Sequence, residues 1–369
     1  MIRKERLENG LTLLTESMPH VCSVAIGVWL RRGSRHEPAD LNGASHFIEH
    51  LVFKGTETRS AREIALAMDT VGGQMDAFTS KEYTCFYAKV LDEHVPVAVD
   101  LLSDIVQNPR FDSAEMERER KVVMEEIRMV EDTPEELVYD LFSSHFYPRH
   151  PLGRPIQGTE STVAGLTRAR LLRFFHGTYR PRNMLIAAAG NLRHDRFARA
   201  IRRAFGSMKP GPASPRPVTP PRPHSGIATR PKRELEQLHV VLGVPGFPER
   251  FRDRYSLFVL NALFGGTMSS RLFQKIREER GLAYSVYSAV NAFADTGLLM
   301  VYAATSPAKG REVLRLILGE VADLGERRPD ASETSVAKEH LKGSLMLSLE
   351  STVSRMSNLA RQEMNWRKI

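Results

Sequence analysis

The spacing of apolar residues along the first half of the chain predicts alternating groups of strands and helices. The turn Glu8-Asn9-Gly10 between two apolar runs predicts an opening hairpin. Alternating or continuous apolar runs predict further strands at 22–30, 74–79, 84–90 and 184–189. Apolar residues three and four positions apart predict helices at 46–53, 61–71, 95–107, 113–130, 134–146, 166–175 and 194–205.

The second half of the chain repeats this order of elements, which indicates two copies of one unit. Strands are predicted at 238–244, 283–289 and 297–303, and helices at 255–264, 270–280, 310–324, 332–348 and 355–364. No counterpart follows for the last helix, strand and helix of the first copy. We therefore expect the second copy to be shortened at its C-terminus by roughly 50 residues.

A proline-rich segment separates the two copies. Residues 209–223 read KPGPASPRPVTPPRP and contain seven prolines, too many for a helix or a central strand. We expect a first domain at 1–208, a linker at 209–225 and a second domain at 226–369. The predicted fold is α+β, with two structurally similar domains, each a mainly antiparallel sheet covered by helices, that face one another as a clamshell.

The predicted helix at 46–53 carries two histidines and a glutamate. Ser45 is its expected N-cap, and the remaining positions are apolar, so we expect the helix to be buried. These apolar positions are Phe47, Ile48, Leu51 and Val52. Burying His46, Glu49 and His50 without partners costs several kcal/mol, on the order of 2–7 for each polar group, whereas zinc accepts imidazole nitrogens at this spacing.

The arrangement His46-x-x-Glu49-His50 is the inverzincin pattern. In that pattern His46 and His50 bind zinc, and Glu49 is the general base for a zinc-bound water. The alternative is a coincidence of two core histidines with one surface glutamate.

A third zinc ligand is sought on the predicted helix at 113–130. Glu126 lies on its apolar side, and Glu119 lies two turns earlier on the same strip, whereas Glu125 has basic neighbours typical of a solvated face. We assign Glu126 as the third ligand, and Glu119 as a carboxylate that accepts a hydrogen bond from a ligand histidine and so fixes its tautomer. The alternative is a helix whose acidic residues are all solvated.

Successive blocks along essentially the whole chain resemble the pitrilysin-type zinc peptidases, most closely the short two-domain bacterial and mitochondrial-processing-peptidase-like branch. The blocks are HFIEHLVFKGT, VGGQMDAFTSKEYTCFYA, ERERKVVMEEI, HPLGRPIQGT and SSRLFQKIREERGLAYSVYS. The resemblance implies one Zn²⁺ per chain, held by His46, His50 and Glu126. It also implies Glu49 as the base and Glu119 as a supporting carboxylate.

The predicted strand at 74–79 is the best candidate for an edge that adds a peptide substrate as a further strand. The alternative is a strand paired on both sides inside the sheet. The resemblance supports the binding role for Gln74, Met75, Asp76, Ala77, Phe78 and Thr79. Asp76 is less typical, because many members of the family carry asparagine there.

Arg277 and Tyr284 flank Gly281, which ends the predicted helix at 270–280. Taken alone they suit a helix C-terminus and an aromatic core. The resemblance implies that this pair reaches the substrate beside the zinc, where it binds the backbone and stabilises the forming oxyanion.

The composition of the chain limits the classes of partner and the cellular compartment that we expect. The formal charge of +8 raises nucleic acid as a partner, but no basic stripe interleaved with aromatic residues is present. Two cysteines give no disulfide framework, so we expect a reducing compartment. Neither a signal peptide nor an apolar run of about 20 residues is found, so we expect a cytoplasmic protein without membrane contact.

The sequence therefore predicts a zinc-dependent metalloendopeptidase that cleaves peptides or unfolded protein segments. We expect a homodimer or a heterodimer with a related subunit. One alternative is a non-catalytic partner subunit of a peptidase heterodimer, although such subunits typically lose motif residues. The other is a nucleic-acid-binding protein, which rests on charge alone.

Overall fold

The computed structural model describes residues 1–211, 219–233 and 235–367, which form two compact units. The first unit comprises Met1–Met129, Arg154–Thr219 and Ser348–Ile369, and the second comprises Val130–Gly153 and Pro220–Leu347. Residues 212–218 of the predicted linker lie outside the described residues. Both units contain helices and a sheet, so the predicted α+β class with two domains is confirmed.

The first unit contains a six-stranded sheet in the order β1-β2-β6-β3-β5-β4. The strands are β1 (Ile2–Arg6), β2 (Thr12–Ser17), β3 (Ser23–Leu30), β4 (Gln74–Thr79), β5 (Thr84–Leu91) and β6 (Met184–Gly190). Only the pairing of β2 with β6 is parallel within this sheet. The mainly antiparallel sheet is therefore as predicted, and β4 lies at its edge.

The described part of the chain contains twelve α-helices. They are α1 (Ala44–Leu51), α2 (Ala61–Thr70), α3 (Val95–Gln107), α4 (Ser113–Asp132), α5 (Pro134–Phe146), α6 (Glu160–Ala164), α7 (Arg168–Thr178), α8 (His194–Phe205), α9 (Arg254–Phe264), α10 (Gly310–Glu326), α11 (Ala331–Ser348) and α12 (Thr352–Trp366). None of the helices in the described residues combines the length and apolar character needed to cross a bilayer.

Helices cover both faces of the six-stranded sheet. On one face, α8 presents Phe197, Ile201 and Phe205 at four-residue intervals, and these residues join the main core with residues of α1, α3 and α7. On the other face, α12 contacts β2, β6 and β3, and its Met356 packs with Trp29. The sheet is therefore sandwiched at its centre, where β6 is buried along its whole length.

The second unit contains an antiparallel sheet of three strands in the order β7-β9-β8. Its strands are β7 (Leu238–Gly246), β8 (Ala283–Ala292) and β9 (Gly297–Thr305). Apolar residues of α9, α10 and α11, such as Leu263, Ile317 and Ala337, form a core with the inward face of this sheet.

Two observations differ from the sequence-based predictions. The compact units differ from the predicted domains 1–208 and 226–369, because α5 packs with β7 in the second unit and α12 packs in the first. The predicted helix at 270–280 is mostly a π-helix, Phe273–Glu278, in which the Glu279 amide donates to the Gln274 carbonyl five residues back at 2.9 Å.

Candidate metal centre

The helix α1 begins at a glycine and is capped by a distant carboxylate. Gly43 is the N-cap at φ 96°, and a Cβ there would meet the Gln157 carbonyl oxygen at 2.6 Å. The Glu37 carboxylate accepts hydrogen bonds from the amides of Gly43 at 2.9 Å and Ser45 at 2.6 Å. The predicted N-cap Ser45 is therefore wrong, since Ser45 lies inside the helix and Glu37 satisfies its first amides.

Three side chains converge beside this helix. His46 Nε2 and His50 Nε2 each lie 3.6 Å from Glu126 Oε2. One donor atom from each of the three residues lies within 4.8 Å of the other two. The two histidines come from successive turns of α1 and the glutamate from α4, so two rigid helices position the donors.

The chemistry of these donors fits zinc. Burial lowers the pKa of His46 to about 4, and the neighbouring His50 adds to the decrease. Near pH 7 the His46 ring is therefore neutral, the form in which imidazole binds a metal. Two imidazole nitrogens with one carboxylate oxygen form a three-ligand set typical of catalytic zinc sites. The Glu126 side chain is 34% exposed, which leaves the site open to solvent.

Glu119 lies behind His50. Its Oε2 is 3.2 Å from His50 Nδ1, and its Oε1 is 2.8 Å from Lys54 Nζ. A proton on Nδ1 pointing at this buried carboxylate leaves the Nε2 lone pair free to bind a metal. The adjacent Glu125 instead pairs with Arg128 at 2.6 Å, and its side chain is 70% exposed.

The Glu49 carboxylate is held by a strand of the sheet. Thr79 Oγ1 donates to Glu49 Oε2 at 2.5 Å. Burial raises the pKa of the Glu49 carboxyl, although the hydrogen bond from Thr79 opposes the increase. From the sequence alone Thr79 is expected only to bind substrate, and its contact with Glu49 is not predicted. Its signal was the two-residue period of β4, which places Thr79 on the same face as Met75 and Ala77.

The strand β4 is the outermost strand of its sheet and pairs there with β5. Its accessibility alternates along the strand, and Gln74, Asp76 and Phe78 are exposed. The alternative of a strand paired on both sides is therefore excluded for the described sheet.

Arg277 and Tyr284 belong to the second unit, whereas the other predicted site residues belong to the first. The Arg277 guanidinium carbon lies 4.6 Å from the Tyr284 ring centroid and 4.8 Å from that of Phe273. The guanidinium thus lies against two aromatic rings, and Tyr284 is 78% exposed. Both residues line a cavity of ≈ 660 Å³ within the second unit.

Two family descriptions match successive halves of the chain. Residues 12–160 match the family described as Insulinase (Peptidase family M16), and residues 165–341 match the description Peptidase M16 inactive domain.

Relatives match almost the full chain. A Bacillus subtilis protein named uncharacterized zinc protease YmxG is 46% identical over 99% of this chain and 88% of its own length. A Mycobacterium tuberculosis protein named uncharacterized zinc protease Rv2782c is 45% identical over 99% of this chain and 84% of its own length.

Solved structures share the fold. A protease from Helicobacter pylori has a TM-score of 0.94 at 23% identity and covers 99% of this chain and 89% of its own. A structure titled as a peptidase M16 inactive domain from Pseudomonas fluorescens has a TM-score of 0.91 at 20% identity, covering 99% of this chain and 88% of its own.

Proposed function

This chain belongs to peptidase family M16, and from that membership we propose that it is a zinc-dependent endopeptidase acting on peptides or unfolded protein segments. The observation that carries the proposal is the convergence of His46, His50 and Glu126, with the Glu49 carboxylate on the same helix as the two histidines. A structural histidine cluster would not require a carboxylate from a second helix between its rings.

His46, His50 and Glu126 would hold the metal, one Zn²⁺ per chain. When bound, zinc acts as a Lewis acid that acidifies water and polarises a peptide carbonyl. Glu119 would keep the proton of His50 on Nδ1, so that Nε2 remains a ligand.

Glu49 would act as the general base and then as the general acid. Its carboxylate takes a proton from the attacking water and delivers that proton to the leaving peptide nitrogen. Thr79 binds one carboxylate oxygen, which orients the side chain and leaves the other oxygen for the water. Burial raises the pKa of the Glu49 carboxyl, which makes the ionised group a stronger base.

The substrate would bind as an extra strand on the edge of β4, along Gln74–Thr79. Backbone hydrogen bonds would then supply affinity without reading much sequence. We also propose that Arg277 and Tyr284 bind the substrate backbone and stabilise the oxyanion, as the family resemblance implies.

Two further expectations stay within this proposal. We propose a cytoplasmic protein that works as a homodimer or with a related subunit. A non-catalytic partner subunit is the second candidate function, because the second half of the chain matches a domain described as inactive. Such a subunit would bind zinc or a peptide but would not cleave the peptide.

The test is incubation of the purified, zinc-loaded protein with a mixed peptide library, followed by mass analysis of the products. We expect internal cleavage that a chelator abolishes and added zinc restores. A zinc-loaded protein that cleaves no peptide, alone or mixed with a related active subunit, would contradict the endopeptidase function. Cleavage only in the mixture would favour the partner-subunit function.

A further inference from the structure

The free edge of β4 has backbone groups that can be assigned residue by residue. The Ser80 amide donates to the Tyr83 carbonyl at 2.8 Å across the turn that joins β4 to β5. Because hydrogen-bonded and non-bonded pairs alternate in an antiparallel ladder, the outward-facing amides and carbonyls belong to Met75, Ala77 and Thr79. A peptide strand added at this edge would pair with the amides of Met75 and Thr79 and with the three carbonyls, whereas the Ala77 amide donates to Asp76 Oδ1.

Asp76 places a carboxylate beside that row of backbone groups. Its Oδ1 accepts a hydrogen bond from the outward Ala77 amide at 2.7 Å, and its Oδ2 lies 3.4 Å from the Tyr87 hydroxyl, which donates to it. Asp76 is exposed, and it forms no ion pair within residues 1–211, 219–233 and 235–367. The nearest cation along β5 is Lys89, which lies opposite Gln74. The charge of Asp76 is therefore available to an incoming chain.

Aromatic rings border this carboxylate on the same face of the sheet. Phe78 is 37% exposed and lies two residues from Asp76, and its ring centroid is 6.3 Å from that of Tyr87. The ring of Tyr83 lies 6.1 Å from that of Phe78. The helix α12 contacts β2, β6 and β3 on this face, so the rings near the β4 edge retain accessible area.

We propose that Asp76, with Phe78 and Tyr87, makes the enzyme prefer a lysine or arginine side chain in the substrate. This inference rests on the proposed function, in which the peptide pairs with β4. A substrate residue opposite Asp76 projects its side chain to the face that carries the carboxylate and the rings. The carboxylate attracts a cation there, and the rings favour a guanidinium or ammonium group above them.

Aspartate and asparagine differ at this position in charge and little in shape. Either side chain can accept the Ala77 amide, but only aspartate attracts a cation and repels a substrate carboxylate. Since the site is exposed, salt screens the preference. Asp76 is thus a specificity residue.

The test uses sets of three labelled peptides, one set for each scanned position, and the three peptides of a set differ only there, carrying lysine, alanine or glutamate. We compare wild type with Asp76→Asn and with the control Asp195→Asn, which removes one exposed carboxylate from α8. Both kcat/KM and equilibrium binding by fluorescence anisotropy are measured. We expect a lysine-over-glutamate ratio of roughly 5-fold or more at the responsive position in wild type and in Asp195→Asn. In Asp76→Asn this ratio falls to about 1, and in wild type it shrinks at 0.5 M salt.

The outcomes separate this inference from the proposed function. Cleavage of the alanine peptide with equal rates for lysine and glutamate at every scanned position would overturn the inference and leave the endopeptidase intact. Cleavage of none of the peptides would count against the proposed function, and the binding ratio would then decide the role of Asp76 alone. A charge preference that survives in Asp76→Asn also overturns the inference.

Discussion

Glu125 and Glu126 are neighbours in the sequence, yet α4 directs them to different environments. Glu126 Oε2 lies 3.6 Å from both histidine Nε2 atoms, whereas Glu125 pairs with Arg128. We expect Glu126→Gln to lose most of the bound zinc, because an amide is a poorer ligand than a carboxylate. Glu125→Gln should keep both metal and activity, since an exposed ion pair contributes little to stability. Metal analysis of the two variants decides the assignment, and equal loss of zinc from both would refute it.

Thr79 supports a prediction about orientation. In Thr79→Val the Glu49 carboxylate loses the hydroxyl that donates to its Oε2. The side chain at position 79 stays β-branched and nearly the same in shape. We expect zinc content to stay unchanged and kcat to fall roughly 10-fold, a part of the about 10²–10⁴ that a positioned base contributes. Thr70→Val, on an exposed face of α2, is the matched control. Unchanged kcat in zinc-loaded Thr79→Val would remove Thr79 from the chemistry.

The site residues differ in how readily the sequence reveals them. His46, Glu49 and His50 follow from spacing on one helix, and Glu126 follows from the period of another. The contact between Thr79 and Glu49 joins residues 30 positions apart, so neither local pattern contains it. The cap of α1 escapes prediction for another reason, because Glu37 binds the first amides from outside the usual N-cap position.

At the scale of elements, local sequence patterns predict most of the helices. The observed bounds of α5 and α8 equal the predicted 134–146 and 194–205, since apolar periodicity and end residues agree there. The π-helix Phe273–Glu278 was predicted as an α-helix. Both helix types share nearly the same apolar spacing over one or two turns, so packing rather than composition decides between them.

Asp104 on α3 anchors the loop that follows α1. Its Oδ2 accepts hydrogen bonds from Thr56 at 2.7 Å, Thr58 at 3.0 Å and Arg59 at 2.8 Å. Burial acts to raise the pKa of Asp104, but the bonds from Asn108 and these three residues outweigh it and lower the pKa. Because the pKa of Asp104 is lower in the folded state, its ionised form stabilises the fold at pH values above the pKa of the unfolded chain, about 3.9.

We therefore expect Asp104→Asn to be less stable than wild type at pH 7, with a difference that shrinks as the pH falls below about 4. Urea unfolding at pH 7, 5 and 3 measures this difference. Asp100→Asn removes a more exposed partner of Arg59 and should change stability less. A pH-independent difference between Asp104→Asn and wild type would contradict the assignment.

At the scale of the whole molecule, α12 belongs to the unit that contains the candidate metal centre. The buried Glu363 of α12 pairs with Lys4 at 2.6 Å and with Arg31 at 3.6 Å, and Met356 is fully buried against the sheet. The sequence repeat predicts α12 as an element but assigns it to the second domain. Sequence order alone cannot show that α12 packs in the first unit, because a repeat identifies matching elements without identifying the sheet on which each one packs.

We expect Met356→Ala to destabilise the protein by about 2–5 kcal/mol, through a cavity beside Trp29 and loss of the Trp29 Nε1 donor contact to the Met356 sulfur at 3.2 Å. Leu347→Ala, at a position 75% exposed, should change stability by less than about 0.5 kcal/mol. Denaturant unfolding followed by tryptophan fluorescence measures both variants. Equal stabilities of Met356→Ala and Leu347→Ala would mean that α12 does not support the first unit.

The central claim is that this chain hydrolyses peptides with zinc held by His46, His50 and Glu126 and with Glu49 as the base. The most direct measurement is zinc content and peptide turnover determined on the same preparations of wild type and Glu49→Gln. We expect both proteins to carry about one zinc per chain and Glu49→Gln to lose at least about 10²-fold in turnover, the lower end of what a general base contributes. Glu49→Gln that retains wild-type turnover, or wild type that cleaves peptides equally well after its zinc is removed, would contradict the account.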